Sequence, residues 1–312
     1  MVDVLKWMCL ATEYDELPVR HNEDLVNIEL QKHLPMSADD WNLPMWDPHV
    51  KAFILLQAFM SRIELPIADY IMDLNSVLDQ AIRIMQASID VLTELSMLSS
   101  VKMMIRLMQT IKQARWPEDG PLAQLPGVDV ARERHRMSQP DPFPADINEI
   151  PKMPRRDIEG IARTLGVGKE TNQFLRAATS SLPNLALKIK LATSSKLTAE
   201  ITRLNTAPNR DFRISAPLFP KSQTEGYFVI IGDEAKDEIY ALKRVSWPSG
   251  RGGQPRANVT LELPPGLDCT DATCWVMSDG YIGIEEKLGV RLQDGMQVVG
   301  SWVEKETVPG RA

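Results

Sequence analysis

The sequence predicts an α+β multidomain chain with an N-terminal all-α helical bundle, a short helix-loop-helix and a C-terminal immunoglobulin-like β-sandwich. Three observations carry that expectation. Up to about residue 116 the apolar positions recur at helical spacing, from 117 to 154 prolines recur, and from about 184 short strand-like runs alternate with Gly, Pro, Asn and Asp turns. The expected units are residues 1–127 for the bundle, 128–153 for a linker or strap, 154–183 for the helix-loop-helix, 184–306 for the sandwich and 307–312 for a tail.

In the bundle, helices break at Pro18, Pro35, Pro44, Pro48 and Pro66. The longest is expected from Met72 to Leu95, where Leu78, Ile82, Met85, Ile89 and Leu92 step by three and four along one apolar stripe. Asp79, Arg83, Gln86 and Asp90 make a polar stripe on another face. The next helix, Leu98 to Trp116, turns Val101, Met104, Ile105, Met108 and Ile111 inward, with its methionines as adaptable core packing. "ARERHRMSQPDPFP", residues 131–144, has no periodicity and is expected to run as a linker or extended strap. Helices at Asp157–Leu165 and Lys169–Ala178 then flank "GVG", residues 166–168, whose glycines permit a tight reversal. The strands are expected in "LALKIKLAT", "KLTAEITRL", "GYFVIIGD", "EIYALKRV", "NVTLELPP", "ATCWVMSDG" and "MQVVGSWVE".

Composition narrows the function. At 312 residues, 44% hydrophobic and 25% charged, the chain can bury a real core, and a formal charge of −7 denies it the basic field that drives nonspecific nucleic-acid binding. Any RNA contact must be local. Cys9, Cys269 and Cys274 form no CxxC pair and read as reduced thiols. The first residues show no basic-then-apolar signal, so Asn258-Val-Thr260 is expected to be a chance sequon, and no apolar run reaches the ~18 residues of a membrane span.

Apparent catalytic motifs fail on spacing. Gly166-Val167-Gly168-Lys169 lacks the upstream glycine and the following Ser or Thr of a phosphate loop, having Arg163 and Glu170 instead. "DEAK", residues 233–236, has the look of a helicase metal box but lies in an expected β-turn with no phosphate loop before it. No GxSxG elbow occurs, and no cofactor or metal is expected. "ELPVRHNED", residues 16–24, is the densest polar cluster. His21, Glu23 and Asp24 are too close in sequence to share one helix-borne ligand. The cluster reads as a helix start, with Asn22 as cap, Glu23 and Asp24 on the dipole, and Arg20 buried against a carboxylate.

That cluster, followed by "HVKAFILLQAFMSRIELPIADYIMDLNSVLDQAIRIMQASID" at 49–90, resembles the Sec-63 domain found behind each helicase cassette of the large double-cassette RNA helicases. "FPKSQTEGYFVIIGDEAKDEIYALKRV" at 219–245 and "MSDGYIG" at 277–283 look like that family's last sandwich strands, and "FPKS" and "ALKRV" resemble its activating-signal cointegrator branch. The resemblance implies a noncatalytic helicase-modulating unit in a ribosome-rescue or transcription-cointegrator complex. The spliceosomal unwinding helicase is the alternative; the ER translocon protein would need membrane helices and a His-Pro-Asp triplet, both missing from this sequence. It implies that the long helix acts as a ratchet, with Asp79, Arg83, Gln86 and Asp90 towards RNA, a solvated face being the other reading. Gly166, Gly168 and Lys169 would lie near the exiting strand, while Arg20, His21, Asn22 and Glu23 would be structural. Its implied partners are the helicase cassettes of the parent protein, subunits docking on the sandwich and, weakly, single-stranded RNA, in the cytoplasm and also the nucleus, with no membrane. Helicase cores and a winged helix are absent from the sequence, so a fragment or a shortened product is expected.

Overall fold

The computed structural model describes residues 2–144, 146–193, 196–205, 207, 211–248, 254–264, 267 and 269–292. Five helices make the bundle: α1 (Val2–Cys9), α2 (Glu23–Gln31), α3 (Pro48–Met60), α4 (Ala68–Glu94) and α5 (Leu98–Gln113). Helix α3 is its axis. Asp47 accepts the His49 amide at 2.8 Å, Pro48 presets the first turn, and every residue from Val50 to Met60 is buried. Helix α4 starts four residues before the expected Met72. Its core face comprises Leu74, Val77, Leu78, Ala81, Ile84, Met85 and Ile89, so Ile82 and Leu92 of the expected stripe are only half-buried at its margin. All five residues expected inward on α5 are buried.

The segment expected to be irregular instead carries a helix, α6 (Val130–Met137), capped by Asp129 through the Ala131 and Arg132 amides. Its inward face is charged rather than apolar: buried Glu133 pairs with Arg136 at 2.6 Å and accepts the Leu122 amide at 3.1 Å. A helical pair follows, α7 (Arg155–Thr164) and α8 (Thr171–Arg176).

Seven antiparallel strands are described: β1 (Leu185–Thr193), β2 (Lys196–Arg203), β3 (Gly226–Asp233), β4 (Glu238–Ser246), β5 (Arg256–Glu262), β6 (Cys269–Ser278) and β7 (Glu285–Leu292). They form two sheets, ordered β1-β2-β5 and β4-β3-β6-β7. Strand β7, "EEKLGVRL", was not expected from the sequence, and the expected "MQVVGSWVE" strand lies outside the described residues.

Strand β3 is buried along its whole length, which explains how the molecule is held together. Its side chains alternate between two cores, as the pleat dictates. Tyr227, Val229 and Ile231 face a core shared with Leu197, Ile201 and Leu261 of the other sheet and with α7 and α8. Phe228 and Ile230, with Trp275 and Met277 of β6, pack instead into the core of the bundle. The four-stranded sheet is therefore the shared wall of both units.

Candidate functional site

The "ELPVRHNED" cluster builds an ion-pair node, with two corrections to its expected geometry. Arg20 is not buried: its side chain is 39% exposed while it reaches Asp73 at 2.6 Å and Glu23 at 3.0 Å. The buried cation is Lys51, from the apolar helix α3, whose ammonium meets Glu23 at 2.6 Å, Asp73 at 2.7 Å and the Pro18 carbonyl at 2.6 Å. Asn22 is not a side-chain cap either. It has φ 66° and makes no capping bond; the turn is closed by Glu23, which accepts the Arg20 amide at 3.0 Å. His21 is exposed. Burial alone would raise the Glu23 and Asp73 carboxyls, but hydrogen bonds from Lys51 and Arg20 hold both below the usual carboxylate range.

On α4 the polar stripe lies away from the bundle core. Arg83 and Asp90 are exposed, Gln86 is half-buried, and Asp79 is engaged by Lys221 of the "FPKS" segment. The Gly166–Lys169 turn is elsewhere, against Arg132 of α6. The Gly166 amide bonds the Arg163 carbonyl at 3.1 Å and the Val167 amide the Ala162 carbonyl at 2.9 Å, with Gly166 at φ 72°. This is the Schellman closure of α7, so those two amides are already occupied; Gly168 and Lys169 are exposed. The structure thus separates stripe and turn onto different elements.

Two motifs acquire structural roles. The hairpin turn that contains "DEAK" caps α5, a helix whose own N-cap residue makes no side-chain bond, through the residue after the motif: Asp237 accepts the Ser99 amide at 2.6 Å and the Ser99 hydroxyl at 3.0 Å. "MSDGYIG" forms a buried polar seam with the end of α5. Gln109 donates to the Ser278 carbonyl at 2.5 Å, Gln113 to the Gly280 carbonyl at 2.6 Å, and Lys112 lies 3.4 Å from Asp279, which also holds Arg244. A second buried node, missed by the sequence reading, joins Arg203 to Glu225, which accepts the Tyr227 hydroxyl at 2.9 Å and the Trp247 indole at 2.7 Å. Arg203 also donates to the Ser180 carbonyl at 2.6 Å, tying the helical pair to the sheets.

Among the described residues no group of three or more His, Cys, Asp or Glu side chains is placed to hold a metal ion, and no helix is long and apolar enough to cross a membrane. Cys9 and Cys274 are free, buried thiols, the latter pushed up to about 12 by burial.

Helical bundle and sheets, joined by buried polar seams, define an α+β fold. The family model of the Sec63 Brl domain matches residues 1–291, and the chain belongs to that family. It is 38% identical over 264 residues to the RQC trigger complex helicase SLH1 of Saccharomyces cerevisiae, covering 78% of this chain and 13% of that protein. It is 30% identical over 343 residues to subunit 3 of the human activating signal cointegrator 1 complex, covering 93% of this chain and 15% of that protein. The human U5 small nuclear ribonucleoprotein 200 kDa helicase is 28% identical over 285 residues, covering 89% and 12%. The chain thus spans between 12% and 15% of these relatives' lengths, as a helicase-associated region rather than an ATPase cassette.

Proposed function

We propose that this chain is a noncatalytic helicase-associated unit that docks partner proteins and modulates unwinding in a ribosome-rescue or transcription-cointegrator complex. The observation that carries the reading is the Sec63 match over residues 1–291, joined to similarity with helicases named for an RQC trigger complex and a cointegrator complex. The strand order β1-β2-β5 opposite β4-β3-β6-β7, with a shared core between, supports an immunoglobulin-like sandwich as the docking module. Its partners are helicase cassettes and complex subunits, in the cytoplasm and also the nucleus. The 28% identity to the U5 helicase favours a second reading, the same unit in a spliceosomal helicase.

Native affinity capture on the immobilised chain tests this. Enrichment of ribosomal or cointegrator subunits supports the first reading, spliceosomal subunits the second, and intrinsic ATP turnover by the pure chain refutes the noncatalytic role. The exposed residues Arg83 and Lys169 are the proposed contacts to single-stranded RNA. Arg83→Ala or Lys169→Ala should each reduce the salt slope of weak RNA binding by about 0.7. Tight binding indifferent to both changes would put the strand on another surface.

A further inference from the structure

A cleft of about 870 Å³ opens between the end of α2, the end of α3, the turn after α5 and the start of α6. That volume suits a small ligand or a short peptide segment. Much of its wall is apolar, from Leu34, Met36, Met60, Trp116 and Val130. Trp116 is pinned by its indole N–H, which donates to the Ser61 hydroxyl at 2.9 Å.

Arg115 also lines this cleft, and its state is unusual. The residue is only 8% exposed, its Nε is buried without a partner, and its guanidinium makes no hydrogen bond or ion pair among the described residues. Its cationic neighbours do not help. Arg62 donates to the Ala114 carbonyl at 3.0 Å and the Gln113 carbonyl at 3.2 Å, and Arg134 takes the nearby carboxylate, Asp119, at 2.5 Å. Asp119 is therefore bonded to Arg134 and offsets the charges of Arg62 and Arg115 only from a distance. Burial first, and then the charge of Arg62, push Arg115 down to about 10; the charge of Asp119 opposes this only in part, and Arg134 adds weakly to the fall. A buried charge with no partner is costly unless something complements it.

We propose that this cleft binds the C-terminal carboxylate of a peptide that ends in hydrophobic residues, with Arg115 receiving the charge. The guanidinium fork matches a carboxylate in two-point geometry, and the apolar wall receives the flanking side chains. A polyanionic strand fits less well. Glu118 stands exposed on the cleft lining, and Lys32, also there, is engaged by Glu29 at 2.6 Å, which leaves Arg115 as the cation of the lining without a bonded partner among the described residues.

The test uses the full 312-residue chain with N-acetyl-Leu-Phe, as free acid and as C-terminal amide, followed by calorimetry and by the Trp116 indole N–H resonance. The acid should bind saturably and shift that resonance, with the amide weaker by about tenfold or more. Arg115→Met should bring the acid down to the amide's affinity without lowering the melting temperature of the ligand-free chain, because it removes an uncompensated charge. Val130→Phe fills the cleft, leaves Arg115 in place and should weaken the acid by about the same factor. Equal binding of acid and amide, full binding to Val130→Phe, or unfolding of Arg115→Met would each overturn the proposal. So would inorganic phosphate or a short oligoribonucleotide displacing the acid from Trp116, which would mark a nucleic-acid backbone site instead.

Discussion

Lys51 is fully buried, and the two carboxylates it holds, Glu23 and Asp73, come from helices distant in sequence. Replacing it removes the only buried cation of the node, so Lys51→Met should cost on the order of 3–5 kcal/mol in urea unfolding. Arg20→Ala should cost less, since that guanidinium is 39% exposed and Lys51 remains. The node also fixes a pH dependence. Carboxyls held low in the folded state bind protons more readily in the unfolded chain. The stability they supply is thus complete above the unfolded value of about 4 and drains as pH falls through the folded values. Asp73→Asn should lower the urea midpoint at neutral pH and flatten its decline between about pH 5 and 3; an unchanged slope would remove Asp73 from the linkage. That Arg20 meets a carboxylate is suggested by a polar stretch that holds an arginine among acids; that it stays exposed, and pairs with both Glu23 and Asp73, is not. Lys51 was missed, although a lysine inside "HVKAFILLQAFM", a helix apolar all round, is itself a sign of a buried acid waiting elsewhere.

At the scale of elements, the misses share one signature: charges sit where an apolar period would be sought. Helix α6 hides from periodicity because its buried face is the Glu133–Arg136 pair, and β7 hides because "EEKLGVRL" begins with three charges. The long helix and the Gly166 reversal were legible because hydrophobic spacing and a left-handed glycine are local signals. The β-turn expected at "DEAK" is present, yet the task of its next residue, Asp237, capping α5 across the molecule, is invisible until the sheet is folded. Asp237→Ala should therefore cost about 0.5–2 kcal/mol, as loss of a helix cap does. Glu234→Ala in the same turn removes an exposed carboxylate from its pair with Lys102 and should cost no more than about 1 kcal/mol. Chemical denaturation of both variants checks the contrast; equal losses would mean the turn acts by charge and not as a cap.

At the scale of the whole molecule, the sequence reads as units strung in order, whereas the structure makes them share walls. The apolar run "GYFVIIGD" carried the clue, because a strand buried on both faces must separate two cores. What lies on each side was not legible: Phe228 and Ile230 meet the bundle only because α5 brings Gln109, Lys112 and Gln113 to the Ser278–Gly280 corner. Such a shared wall predicts cooperativity. If the bundle lost the sheet, it would expose the groove that holds Phe228, Trp275 and Met277, and the polar ends of α5 would lose their carbonyl partners inside a dry seam. Helix-dominated circular dichroism and tryptophan fluorescence should then report one coincident urea transition. Phe228→Ala, which opens a cavity on the bundle side, should lower both midpoints together by a loss of about 3–5 kcal/mol. A variant in which fluorescence falls before the helical signal would show that bundle and sheets unfold separately, and that the wall between them is a contact rather than a common core.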